Sequence, residues 1–220
     1  MNNNYVQDIT KKINGKTLLA FSYQAEDIAV LHLLLEAKVN NLEVFTIDTG
    51  KLFPETQGYH TAVEKFFNIS IKKYYPVKHK IEKLEAELGE YGMRESLEKR
   101  HLCCQIRKVD VLDAALEGRA AWVTGMRRGQ SVTRTELQLL EFDEKHLIFK
   151  INPLYDWTHK ELMDYIAKNN LPLHPLYAQG FTSIGCVSCT RAVQEGEDIR
   201  AGRWWWEKAD CKECGLHVKL

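Results

Sequence analysis

The 220-residue sequence predicts an α/β protein of three layers, a mostly parallel sheet with helices on both faces. Two observations lead there. Short apolar runs at residues 17–21 (TLLAF), 42–48 (LEVFTID) and 120–124 (AAWVT) have strand length and end at polar turns. Helix-prone stretches follow them, and strands alternating with helices imply parallel pairing through crossovers. In such sheets ligands bind at the carboxyl ends of the strands. The turns that follow the first two runs, residues 22–27 and 48–50, are therefore placed at a candidate ligand edge.

The elements follow in order. Residues 28–37 are nearly all apolar, which predicts a helix covered on both sides. Residues 54–67 predict a helix with Pro54 in its first turn, and residues 70–75 a third strand. Residues 78–100 are dense in charge and predict a solvated surface helix. A helix over 104–116 carries Arg107 and Lys108. Residues 137–142 and 147–151 predict a hairpin. Thr158 and Glu161 have the spacing of a capping box for a helix to residue 168. Pro172 and Pro175 then end regular structure. The sequence shows no repeat or linker, which predicts one domain over residues 1–220, closed by a mobile cysteine-rich tail from about residue 207.

Lys plus Arg (30) balance Asp plus Glu (30), so no global field selects nucleic acid or a membrane surface as partner. The first residues lack a signal-peptide pattern and no apolar run has bilayer-spanning length, so the expectation is a cytoplasmic protein. Thiols stay reduced in that compartment, so the six cysteines point to metal binding or catalysis.

Spacing alone leaves their roles open. Cys186-x-x-Cys189 with Cys211-x-x-Cys214 has the outline of a zinc-ribbon binding module. Alternatively, Cys186 and Cys189 join the adjacent pair Cys103-Cys104 and leave Cys214 as a free nucleophile. Adjacent cysteines are strained as a disulfide and close poorly round one zinc ion. They can reach separate corners of a 4Fe–4S cube. Their plain reading is two buried thiols at the start of a helix.

The turn Ser22-Tyr-Gln-Ala-Glu-Asp27 opens a helix, where free N–H groups favour an anion. An ordinary βα turn looks the same, and this one lacks the glycines of an ATP phosphate loop. Arg127, Arg128 and Arg134 follow a predicted strand end in a loop with Gly125 and Gly129. Arg191, Arg200 and Arg203 precede Trp204-Trp205-Trp206. Guanidinium forks suit phosphate and sulfate oxygens, although surface arginines and tail-anchoring tryptophans fit the same pattern.

Long stretches of the chain resemble the assimilatory adenylyl-sulfate (APS) reductases, within the phosphoadenylyl-sulfate reductase family. They are SYQAED (22–27), DTGKLFPET (48–56), CCQIRK (103–108), TGMRRGQSVTR (124–134), GCVSCTRAV (185–193), GEDIRAGRWWW (196–206) and ECGLH (213–217). The resemblance implies an adenine-nucleotide α-hydrolase-like, Rossmann-like fold and a 4Fe–4S cluster on Cys103, Cys104, Cys186 and Cys189. It implies a nucleophile at Cys214 and substrate contacts at Lys108, Arg134, Arg200, Arg203 and His217, with Arg127 and Arg128 in a matching motif. Ser22, Gln24, Asp48, Thr49 and Gly50 would hold the nucleotide. It further implies APS as substrate, a thioredoxin or glutaredoxin as reductant, and sulfite and AMP as products. Members restricted to the 3′-phosphorylated substrate lack the four cluster cysteines, whereas some cluster-bearing members take both. Cys211 has no counterpart in the family pattern, and whether the chain forms a homo-oligomer is not encoded in these motifs.

Overall fold

A computed structural model describes residues 6, 8–10, 13, 15–131, 134–208 and 212. Its sheet has six strands: β1 (Thr17–Ala20), β2 (Leu42–Ile47), β3 (Ile71–Tyr74), β4 (Ala121–Val123), β5 (Leu140–Asp143) and β6 (Ile148–Ile151). They lie in the order β3-β2-β1-β4-β6-β5. All pairs are parallel except β5–β6, the expected hairpin, in which Phe142 opposes Phe149. The chain runs outward from β1 through β2 to β3, then crosses to β4 on the other side of β1. That reversal opens a crevice at the carboxyl ends of β1 and β4.

Helix α1 (Ala25–Glu36) is buried along most of its length, as its apolar sequence predicts. With α2 (Pro54–Phe67) and α6 (His159–Lys168) it covers one face of the sheet. Leu19, Val123 and Ile151 from the strands pack there against Ile28, Leu31, Val63 and Leu162. Each fully buried Leu or Ile in that layer contributes about 1.5–3 kcal/mol. Pro54 starts α2, and Asn68 ends it in the left-handed conformation. Thr158 and Glu161 form the capping box of α6, with Thr158 Oγ1 accepting from Glu161 N at 3.1 Å. The other face is covered by α5 (Asp110–Leu116), whose Leu112, Ala115 and Leu116 pack on Leu18, Phe45 and Trp122.

The stretch 78–100 departs from expectation. It is not one solvated helix. Helix α3 (Lys78–Leu88) stops at Gly89, where φ is +63°. After a short turn at Gly92–Arg94, Ser96 caps α4 (Leu97–Cys104) by accepting from Lys99 N at 3.2 Å. Met93 and Arg100 in this part are buried, Arg100 completely. Charge density misleads here because the carboxylate matching Arg100 is Glu207, 107 residues along the chain.

Helix α4 runs into a π-helical turn, Gln105–Val109, before α5. Such a turn inserts one residue into the helical register and often marks a working site. Here it follows Cys103-Cys104 directly and carries Arg107 and Lys108. No helix among the described residues is long and apolar enough to cross a membrane.

Candidate active site

Two adjoining hollows occupy the carboxyl edge of the sheet. The larger is a cleft lined by the turn after β1 (Ser22, Gln24, Asp27), Thr49 after β2, and Gly125 and Arg127 after β4. Lys108, Arg134, Arg200 and Arg203 complete its wall. The smaller hollow lies beside it and gathers Cys103, Cys104, Cys186 and Cys189 with Lys51, Arg107, Lys108, Arg203 and Trp204. Lys108, Cys186, Arg203 and Trp204 border both.

The turn after β1 is held from three directions. Asp27 accepts from both the backbone N–H and the hydroxyl of Ser22, each at 2.6 Å. Tyr23 takes φ = +67°, a left-handed conformation costly for an aromatic residue. Its ring is buried edge-on against Phe21 and Tyr59, and its hydroxyl lies 2.9 Å from His60 Nδ1. Burial lowers the His60 pKa, which favours the neutral ring that can accept from Tyr23. Burial also raises the Tyr23 phenol to about 12. Folded this way, the turn puts Ser22 and Gln24 on the cleft wall. Gln24 Oε1 then accepts from Ser183 Oγ at 3.1 Å, tying the turn to the loop that carries Cys186.

Gly125 makes this fit possible, since a Cβ there would lie 2.6 Å from Asp27 Oδ1 and 2.7 Å from Glu26 Cβ. Burial pushes the Asp27 carboxyl up to about 7, against the lowering effect of the Ser22 bonds. Tyr177, not singled out in the sequence, fixes the start of α1 by accepting from Ala25 N at 2.9 Å.

The arginines divide into two kinds. Arg127 borders the cleft, but its guanidinium is spent on Glu26 Oε1 (2.8 Å) and the Trp157 carbonyl (3.2 Å). Arg128 turns away, donating to the Leu137 carbonyl at 2.8 Å and stacking on Tyr155. Asp48 and Gly50 pair with each other, Gly50 N donating to Asp48 Oδ1 at 3.0 Å, and neither borders the cleft. Arg134 stays on the wall, bonded to Gln130 Oε1 at 2.5 Å. Arg200 Nη2 donates to the Lys212 carbonyl at 3.0 Å. Cys211, Cys214 and His217 lie outside the described residues.

The thiol hollow is assembled by long-range contacts. Arg94 donates twice to the Ser188 carbonyl, at 3.1 and 2.7 Å, and stacks on Trp205 and Trp206. Arg100 grips both oxygens of Glu207, at 2.8 and 2.9 Å. Trp204 stacks with the guanidinium groups of both Arg100 and Arg203. The three tryptophans thus do anchor the chain, and Trp204 does so beside the thiols. Thr49 Oγ1 lies 3.3 Å from Cys186 Sγ. Arg107, which sequence reading passed over beside Lys108, donates to the Thr49 carbonyl at 2.6 Å and to Glu85 at 2.7 Å.

Residues 16–192 match the family described as "Phosphoadenosine phosphosulfate reductase domain". The chain belongs to that family. It is 45% identical over 205 residues to an adenosine 5′-phosphosulfate reductase of Burkholderia cepacia, covering 93% of this chain and 82% of the relative. It is 45% identical over 199 residues to the enzyme of that name from Neisseria meningitidis, covering 90% and 81%. The fold matches a phosphoadenylyl-sulfate reductase from Candida auris solved with phosphate, at TM-score 0.72 and 23% identity, over 87% of this chain and 91% of that one. The adenine-nucleotide α-hydrolase-like architecture expected from the sequence is therefore present.

Whether this hollow suits an iron–sulfur cluster can be tested on its own atoms. Among the described residues no group of three or more His, Cys, Asp or Glu side chains is gathered round one point. A cube instead takes one thiolate at each of four separate irons. Four buried side-chain atoms among the described residues lack a hydrogen-bond partner, and three of them are N–H donors on this hollow: Arg107 Nε, Arg203 Nε and Trp204 Nε1. Sulfur-rich anionic groups accept from such donors. Burial raises the Cys103 and Cys189 thiols. Lys108 opposes that shift at both, joined by Arg107 at Cys103 and by Arg203 at Cys189. The donor set and the ring of cations fit a thiolate-ligated cluster.

Proposed function

We propose that the protein reduces adenosine 5′-phosphosulfate to sulfite and AMP, using a thioredoxin-like dithiol protein. The observation that carries this reading is the shared wall: a cation-lined cleft at the carboxyl edge of the sheet and a four-thiol hollow, joined at Lys108, Cys186, Arg203 and Trp204. The relatives named adenosine 5′-phosphosulfate reductase support the choice of substrate.

In this reading the adenylyl part lies along the β1 and β2 turns, near Ser22, Gln24 and Thr49, with Asp48 and Gly50 shaping the second turn. The phosphosulfate oxygens face Lys108, Arg134, Arg200 and Arg203, and His217 is assigned to the same contacts from the sequence. Arg127 and Arg128 hold the loop instead of the substrate. The thiolate of Cys214 attacks sulfur, the S–O bond to AMP breaks, and AMP leaves with the bonding pair. Cys214 then carries a sulfonate. A thiolate of the dithiol protein attacks the Cys214 sulfur and expels sulfite, and its second thiol resolves the mixed disulfide. The dithiol supplies both electrons.

Like charges must meet in the first step, and the cleft cations offset that repulsion. Cys214 is two positions beyond Lys212, so covalent geometry keeps it within roughly 7 Å of a residue already bonded to Arg200. A cluster held by Cys103, Cys104, Cys186 and Cys189 would supply structure and a local field, with no electron passing through it.

The test is sulfite release from APS with a reduced thioredoxin, compared with the 3′-phosphorylated substrate. A higher kcat/KM for APS is expected. Similar values would make the enzyme dual in substrate. No sulfite from either would end this reading.

A further inference from the structure

The Ser22 hydroxyl faces a conflict that the reaction does not explain. It sits on the wall of a cleft read as binding an anion, yet it lies 2.6 Å from Asp27 Oδ2. An ionised carboxylate only accepts hydrogen bonds, so it takes the single hydroxyl proton of Ser22. Ser22 Oγ then turns lone pairs toward the cleft, and the side-chain amide of Gln24, 3.4 Å away, already donates into one of them. Lone pairs repel sulfate or phosphate oxygens.

We propose that Asp27 decides where the Ser22 proton points: onto the carboxylate when Asp27 is ionised, and into the cleft when Asp27 is protonated. In the second state Asp27 Oδ2–H donates to Ser22 Oγ, and Ser22 O–H is released to an anionic oxygen. The exchange moves one proton and needs no co-reactant. Asp27 is thus a positioning residue acting through Ser22, and the inference rests on the nucleotide reading of the cleft.

The surroundings allow both states. Asp27 is buried, and the adjoining charge, Glu26, is matched by Arg127. Tyr59 from α2 and Tyr177 from the turn at Pro175–Gln179 face it as phenols whose pKa burial raises far above the usual value, so both stay neutral. On the β4 side stands Gly125, with no charge. Burial lifts the carboxyl to about 7, so both states are populated near neutrality.

The experiment is a double-mutant cycle read by AMP affinity in calorimetry on the full chain, at about pH 8.5, where wild-type Asp27 is mostly ionised. Asp27→Asn keeps the shape; with its amide nitrogen at the Oδ2 position it donates to Ser22 Oγ and gives up the bond from Ser22 N, which meets the same atom. It is expected to bind AMP roughly tenfold tighter, on the scale of one hydrogen bond to a charged group. Ser22→Ala should cost about twofold or less in wild type and fivefold or more in the Asp27→Asn background. If Asp27→Asn gains equally with and without the Ser22 hydroxyl, only loss of a negative charge is being measured and the proposal fails.

A second measurement leaves Asp27 in place. The ratio of wild-type to Ser22→Ala affinity should rise several-fold from about pH 8.5 to about pH 6, and the ratio cancels titration of the ligand itself. A flat ratio overturns the proposal. Failure of wild type to bind AMP at all would overturn the nucleotide reading, and this inference with it.

Discussion

The nucleotide cleft and the thiol hollow share a wall but are built by opposite means. The β1 and β2 turns of the cleft carry short-range bonds of their own, with distant braces such as Gln24–Ser183 and Ala25–Tyr177 added to them. Asp27 holds Ser22 from five residues away, and Gly50 bonds Asp48 from two. The hollow depends on partners far apart in sequence: Arg94 with Ser188, Arg100 with Glu207, and Thr49 with Cys186 across 137 residues. Local turns survive when a distant contact is lost, whereas a site made of distant contacts fails as a unit. The cleft should therefore outlast the hollow under most insults.

The sharpest way to break that comparison is to remove a thiol. Cys189→Ser should lower iron from roughly four per chain to background in anaerobically purified protein. AMP affinity in calorimetry should stay within about twofold, because the Ser22–Asp27 and Asp48–Gly50 bonds do not involve Cys189. Equal loss of iron and nucleotide binding would show one inseparable unit.

Arg100→Ala should have the next largest effect. It strands the Glu207 carboxylate, whose partner Arg100 is fully buried, and removes one of the two cations stacked on Trp204. Leaving a buried charge unpaired costs about 3–5 kcal/mol, read as a lower urea midpoint with iron loss. Restoring neutrality with Glu207→Gln in the same chain should recover part of it. No recovery would mean that the ion pair is not what matters there.

Gly125→Ala probes the other site. Its Cβ would meet Asp27 and Glu26, costing about 1–3 kcal/mol and weakening AMP binding while iron content is kept. Loss of iron in this variant would contradict the separation of the two sites.

The smallest effect is a pH dependence. The Asp27 carboxyl stands at about 7 when folded, against an ordinary 3.8. Its contribution to stability is thus complete below 3.8 and is lost as pH rises through 7. Asp27→Asn lacks this dependence, so its stability relative to wild type should increase between about pH 5 and about pH 8 in urea titrations. A constant difference would contradict the raised value.

The same contrast explains what the sequence made legible. Local rules gave α2 with its leading Pro54, the capping box at Thr158 and Glu161, the β5–β6 hairpin, and the turn after β1 at the carboxyl edge of the sheet. Local rules failed at residues 89–100, where a charged stretch hides Arg94 and Arg100 against partners near the other end of the chain. They also could not separate arginines spent on distant scaffold partners from Arg134, which keeps its place on the cleft wall. Arg127 and Arg128 differ from Arg134 only through Glu26, Trp157 and Leu137, none of which is a sequence neighbour. The four thiols were grouped by resemblance to a family, since spacing alone allowed the zinc-ribbon pairing equally well.

The central claim is that the cleft delivers phosphosulfate to a thiolate on the last residues of the chain. Mixing the protein with APS and no reductant tests it most directly. About one AMP should be released per chain, as a single covalent turnover requires, and mass analysis should find one added sulfonate on the peptide containing Cys214. Cys211→Ser should still form that adduct, and Cys214→Ser should form none while keeping its iron. An adduct on Cys211, or steady sulfite production by Cys214→Ser, would contradict the account.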